Sequence, residues 1–412
     1  MDEHSKQIHQ DNQGHVTGRR FLRIFAWCVS VTVLIVASVN LVAYRYMLRE
    51  NNQAIVQLVA GWGRMYKPIL YDELMPNVTV YGSSYARDAF DPIETGRLLE
   101  LNVFNHGVSG GSAYETRRFA ASSLGNPNLE AAIVNLNTFS HSEREARVRY
   151  GFDESILNVD SDNRPNHWVG LRRAYSLTLT GWAAGANMKL FKAILARDDG
   201  AARSDYLRSY QSDNLTRHRP ALELAKERIF PESGYKPDPS IRDLPPPVHM
   251  AELVELDLMI DGFCEQGVDV YAYYTPQHAL WQACDLQASL KISTLEFLRR
   301  KQATCDAKIS YFDFSYPNAV TLEGVMVPVT SSKYFRPDGH PRPTVGLLMA
   351  ASMFSRKFPQ ATPTVLEQDF GVDLISHQDA EGWLLERAAR CEGDWGDSGY
   401  TAYAAALIKG IE

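Results

Sequence analysis

A chain of 412 residues, 45% hydrophobic and 22% charged, is long enough to bury one large core or two modest ones, and it has ordinary globular composition. Its net charge of −7 argues against nucleic acid as a partner, because phosphate binding needs a basic face. The five cysteines form no C-x-x-C pair and no Cys/His spacing of zinc type, so neither a structural metal nor a cofactor is expected.

Residues 1–20 are polar, and residues 1–23 read as a cytoplasmic terminus. Residues 24–44 then run from Ile24 to Tyr44 without a charge. At about 1.5 Å per residue this run can cross a hydrocarbon core of about 30 Å. A cleaved signal peptide is the rival reading. The run exceeds the usual apolar region of such a peptide and no A-x-A site ends it, which favours an uncleaved anchor. Lys6, Arg19, Arg20 and Arg23 precede it, and Arg45 and Arg49 follow. That bias favours the N-terminus inside, with the bulk of the chain in a bacterial periplasm. Cys264, Cys284, Cys305 and Cys391 would then meet an oxidising compartment and could form one or two disulfides. Cys284 with Cys305 is disfavoured, because a helix between them would hold them about 30 Å apart.

Residues 45–77 read as a stalk or packing helix. From Val78 the chain alternates strand and helix. Strands are expected at Val78–Tyr81, 102–104, 131–136, 268–274 and 309–314; helices at Pro92–Leu99, 114–123, 249–265, 286–300 and 344–354. Such alternation predicts an α/β fold, a parallel sheet wrapped on both faces, with ligands at the carboxyl ends of the strands. Residues 138–247 are too long for a simple connection and read as a mainly helical insertion. Its aromatics Trp168, Tyr175, Trp182 and Phe191 either fill a small core of their own or line a lid that stacks on sugar rings. Residues 358–412 read as a helical extension, with helices near 380–391 and 400–411.

Four blocks fall at or after strand ends. Gly82-Ser83-Ser84 is a sharp turn into a helix start, suited to a nucleophilic hydroxyl beside unpaired N–H groups. Val103-Phe-Asn105-His-Gly107-Val-Ser109-Gly110-Gly111-Ser112 is a strand running into a glycine-rich loop. Asn135-Leu-Asn137 ends a strand with two side-chain amides. Asp338-Gly-His340-Pro341 pairs a carboxylate with an imidazole, the makings of an oriented general base. Taken singly each block is also compatible with ordinary turns and caps. His278, after another strand end, is a candidate pocket residue or a solvent-facing one. For Arg87 and Asp91 an ion pair within the domain is the default expectation.

In their order these blocks resemble the SGNH (GDSL-like) hydrolase superfamily, across residues 78–357. The resemblance implies a three-layer, flavodoxin-like sandwich with Ser84, Asp338 and His340 as the catalytic residues. It implies an oxyanion hole from the Ser84 and Gly110 N–H groups with the Asn137 side chain, and a pocket including Ser83, Asn135 and His278. More narrowly, Phe90-Asp91-Pro92, Ser109-Gly-Gly-Ser-x-x-Glu115, Tyr274-Thr-Pro276-Gln-His278, Asp313-Phe-Ser and Asp369-Phe-Gly371-Val are similar to membrane-anchored bacterial proteins of alginate O-acetyltransferase type. That similarity implies acyl transfer or ester hydrolysis on a polysaccharide or acylated sugar, with a membrane-bound O-acyltransferase as a candidate partner. The alternative is a catalytically inactive subunit of the same fold that binds polysaccharide or scaffolds such an acyltransferase.

Overall fold

The computed structural model describes residues 20–42, 63–139, 148–179, 250–276, 288–316, 318, 320–321, 334–335, 340–355 and 370–395. Five parallel strands, β1 (Val78–Tyr81), β2 (Val103–Asn105), β3 (Ala131–Asn135), β4 (Asp269–Tyr274) and β5 (Ile309–Asp313), lie in the order β2-β1-β3-β4-β5. A short sixth strand, β6 (Val372–Asp373), pairs antiparallel with β5. The register sets Val80 beside both Asn105 and Ile133. The carboxyl ends of β1, β2 and β3 therefore share one edge of the sheet.

Each parallel strand is buried on both faces, which is why the runs read as nearly continuous apolar segments. Val78, Val80, Ile133, Tyr271, Tyr273 and Phe312 point into one core layer. Tyr81, Ala132, Val134, Val270, Ala272 and Tyr311 point into the other. The helices, in chain order, are α1 (Arg20–Val42), α2 (Gly63–Leu74), α3 (Ser84–Ala89), α4 (Pro92–Leu99), α5 (Ala113–Ser123), α6 (Val169–Thr178), α7 (Met250–Glu265), α8 (Ala288–Gln302), α9 (Pro343–Phe354) and α10 (Ala380–Trp395). Residues of α3, α4 and α9 fill the first layer; residues of α5, α7, α8 and α10 fill the second. Helix α1 is long and apolar enough to cross a membrane, and little of it is buried in the protein.

Several expectations are revised. Residues 370–374 are not simply helical extension: Phe370 and Leu374 are buried and β6 completes the sheet edge. One disulfide is present among the described residues, Cys264–Cys305, at the end of α7, in keeping with the disfavoured Cys284–Cys305 pairing; Cys284 lies outside the described residues. Arg87 makes the expected ion pair within the domain, with its neighbour Asp88. Asp91 instead caps α4, accepting from the Ile93 and Glu94 amides ahead of Pro92 at the first helical position. Trp168 and Tyr175 are exposed, so they do not fill a core of their own. Trp182 and Phe191 lie outside the described residues. At the end of β5, buried Asp313 accepts from the Ser315 amide at 2.9 Å and pairs with buried Lys291 at 2.7 Å, a satisfied internal ion pair.

Candidate active site

The strand order reverses between β1 and β3, the switch point where open parallel sheets leave a crevice for ligands. Strand β1 ends at Gly82, whose φ of +151° suits glycine. A Cβ there would lie 2.6 Å from the Asn135 Cβ, so only glycine lets the turn press against β3. Ser83 follows in extended conformation as the N-cap of α3, and Ser84 is the first helical residue. At that position the backbone N–H has no intrahelical acceptor, and the half-buried hydroxyl stands above the sheet edge.

Its partner arrives from the far end of the domain. The Ser84 Oγ lies 2.9 Å from His340 Nε2 across 256 residues of sequence. Two features deliver the imidazole. Phe335 and Pro341 form an isolated antiparallel bridge, reinforced by the Arg342 amide donating to the Tyr334 carbonyl and by Arg342 Nε donating to the Phe335 carbonyl, both at 2.8 Å. This closes the loop that carries His340. Helix α9 then packs so tightly on α3 that a Cβ on Gly346 would lie 1.8 Å from the Ala89 carbonyl oxygen. The helix behind the histidine thus rests on the helix that begins with Ser84. Tyr85 stacks on the imidazole, with ring centroids 4.6 Å apart. Asp338 and His278 lie outside the described residues.

The end of β3 is tied to the Gly82-Ser83-Ser84 turn by a chain of hydrogen bonds. The Ser83 amide donates to Thr138 Oγ1 at 3.0 Å, and Thr138 Oγ1 donates to Asn135 Oδ1 at 3.2 Å. Asn135 Nδ2 donates to Thr275 Oγ1 at the end of β4. The Thr275 amide donates to Asn137 Oδ1 at 2.8 Å. A backbone N–H can only donate, so this last bond fixes which end of the Asn137 amide is oxygen. Ser83 through its amide and Asn135 through its side chain belong to this network, and the Asn137 Oδ1 faces the Thr275 amide.

The glycine-rich loop after β2 lies over the same turn: the Val108 amide donates to the Gly82 carbonyl at 3.1 Å. Gly110 is exposed, in left-handed conformation at φ +57°. The loop's carbonyls are held from below by two cations of α2. Lys67 Nζ donates to the Gly107 carbonyl. Arg64 donates to the Ser109 and Gly110 carbonyls, at 2.9 and 3.2 Å, while pairing with buried Glu115 at 2.9 Å. Glu115 also completes a capping box with Ser112 at the start of α5. Burial first, then the nearby Arg87 and Arg64 charges, pull the Lys67 amine down to about 7 despite Asp88.

Asn105 joins the two loops from beneath. Its Nδ2 donates to the Ala86 and Phe90 carbonyls at 3.0 and 2.7 Å, while its Oδ1 accepts the Gly107 amide at 2.7 Å. The neighbouring His106 is no rival base. It is packed among Tyr71, Tyr81, Phe104 and Phe119, and burial holds its imidazole well below the ordinary range. Among the described residues no cluster of histidine, cysteine and carboxylate side chains could hold a metal ion.

Sequence reasoning missed Arg64, Lys67, Tyr85, Thr138 and Thr275 as parts of the site. The pair Arg64 and Lys67, one helical turn apart ahead of β1, was the available signal. Compared with known protein families and with curated proteins, the chain matches none.

Proposed function

We propose that this chain is a membrane-anchored serine O-acyltransferase or acetylesterase of the SGNH type, acting on a cell-surface or exported polysaccharide. The observation that carries the reading is the 2.9 Å contact between Ser84 Oγ and His340 Nε2 at the switch point of the sheet. A hydroxyl on a helix start, in reach of an imidazole and beside a glycine loop with a fixed amide, is the arrangement that acyl transfer requires. The strand order β2-β1-β3-β4-β5 also fits a flavodoxin-like SGNH sandwich.

In this mechanism Ser84 Oγ attacks the acyl carbonyl carbon while its proton passes to His340 Nε2, which requires the imidazole proton to reside on Nδ1. The carbonyl oxygen becomes an oxyanion facing the Ser84 and Gly110 N–H groups and the Asn137 NH₂. Each such donor contributes about 10²–10³ in rate. The tetrahedral intermediate collapses, and the sugar oxygen leaves with the proton from His340. Water or a second sugar hydroxyl then takes the acyl group by the reverse sequence. Asp338, two residues before His340, is proposed to orient the ring.

We read α1 as the membrane anchor, with the α/β domain on the periplasmic side. The Cys264–Cys305 disulfide supports an oxidising compartment for that domain. The test is turnover of an aryl acetate, and acetyl transfer to an oligosaccharide acceptor, by the full chain in detergent. Turnover abolished by Ser84→Ala and by His340→Ala supports the enzyme. Polymer binding without turnover in the intact protein would support the non-catalytic subunit instead.

A further inference from the structure

We propose that α6 is a membrane-surface helix, lying at the headgroup–acyl boundary of the same bilayer that α1 crosses. The inference rests on the reading of α1 as a membrane span. Its first support is a contact between distant segments. Asn40, only 1% exposed, donates its side-chain amide to the Thr178 carbonyl at the end of α6, at 2.9 Å. Asn40 stands two residues before the last residue of α1, or about 3 Å along the axis from its end. The end of α6 is thereby held at the level where the span leaves the hydrocarbon. An asparagine near that boundary, with its amide bonded to protein, does not have to be desolvated in lipid unpaired.

The second support is the face that α6 leaves uncovered. At about 100° per residue, Trp168, Leu171, Arg172, Tyr175 and Leu179 fall within an arc of about 100°. All five are exposed, Trp168 by 70% and Leu171 by 67%. Away from that arc Gly170 and Ala174 are also exposed, and the side with Ser176 and Leu177 is buried. Arg173 bolts that side to the domain through the Ile156 carbonyl at 2.8 Å and an ion pair with Asp72 on α2. Among the described residues outside α1, most of the large exposed hydrophobic side chains belong to the 148–179 region. A tryptophan and a tyrosine with leucines and an arginine on one helical face match the chemistry of the membrane interface, where amphipathic rings sit at the headgroups and a cation meets lipid phosphate. The apolar side chains run along the whole helix, so it suits a helix lying in the membrane plane. Helix α2, which α6 grips through Asp72, also carries Arg64 and Lys67 under the Gly107–Gly110 loop. A continuous run of contacts thus joins α6 to the glycine-rich loop.

The test uses the full chain reconstituted in phosphatidylcholine–phosphatidylglycerol vesicles. Trp168 emission is isolated as the difference between the wild type and Trp168→Phe, and Trp27 emission, from within α1, by the same subtraction with Trp27→Phe. Tyr175→Trp in the Trp168→Phe background reports the same face two turns along. The expected result is that Trp168 and the tryptophan at position 175 lose most of their emission to lipids carrying a doxyl group near the headgroup and are insensitive to aqueous iodide. Quenching by iodide but not by lipid would overturn the proposal, leaving α6 in water. Protection from both would also overturn it, showing that another part of this chain or a second copy covers the face. Trp27 separates the two premises. If mid-chain doxyl lipid fails to quench Trp27, the span reading falls and the proposal with it; if it quenches Trp27 but not Trp168, only the placement of α6 falls.

Discussion

The rings of Tyr85 and His340 lie nearly parallel, 16° apart in tilt with centroids separated by 4.6 Å. Tyr85 directly follows the candidate nucleophile, so one residue pair fixes the imidazole plane relative to Ser84. Such a contact contributes about 0.5–1.5 kcal/mol. Tyr85→Ala should therefore lower kcat by about two- to tenfold with KM little changed, and Tyr85→Phe should restore it. Steady-state kinetics on an aryl acetate reads both.

Gly346 makes a second prediction. Because a Cβ would meet the Ala89 carbonyl at 1.8 Å, Gly346→Ala must push α9 away from α3. The expected loss of stability is about 1–3 kcal/mol, with a larger relative fall in Ser84 reactivity as His340 withdraws. Gly170→Ala is the control: nothing lies within 4 Å of its Cβ position, and in α6 it should be neutral or stabilising by up to about 1 kcal/mol. Urea unfolding of both variants in detergent makes the comparison.

Lys67 links the glycine loop to pH. Its folded-state pKa, about 7, lies below the ordinary 10.5. Between these values the unfolded chain binds the extra proton, so this group makes stability rise with pH above about 7, by up to about 1.4 kcal/mol per pH unit. The sign is opposite to that of a lysine held by a carboxylate. Lys67→Met should be less pH-dependent than the wild type between pH 7 and 9, in unfolding free energies measured at both ends of the window.

The Cys264–Cys305 disulfide joins α7 to the segment after α8 over a separation of 41 residues. A loop of that length contributes about 4 kcal/mol in the chain-entropy treatment. Cys264→Ser with Cys305→Ser should lower the unfolding midpoint and abolish its sensitivity to reductant. An unchanged midpoint would show that the bond is dispensable.

These features differ in how far they could be read beforehand. The five parallel strands were legible because each is buried on both faces and is flanked by helices, so apolar runs such as Ala131–Asn135 stand out. Strand β6 was not, since two half-buried residues carry no period. The pairing of Cys305 with Cys264 depends on where α7 ends relative to α8, which spacing does not encode. Ser84 and His340 could be nominated from their blocks, but their contact depends on Gly346, whose role appears only when α9 meets α3. Arg64 and Lys67 fall in the 45–77 stretch read only as a stalk or packing helix. They are buried because the Gly107, Ser109 and Gly110 carbonyls and the Glu115 carboxylate offer them acceptors. The orientation of the Asn137 amide likewise depends on a donor 138 residues away, the Thr275 amide.

The central claim is that Ser84 is a nucleophile activated by His340, and it can be measured directly. The full chain in detergent is treated with a fluorophosphonate probe and compared with Ser84→Ala, Ser83→Ala and His340→Ala. The account predicts covalent labelling of the wild type and of Ser83→Ala, none in Ser84→Ala, and labelling at least about 10²-fold slower in His340→Ala. A wild type that remains unlabelled, or a Ser84→Ala variant that labels as fast as the wild type, would contradict it.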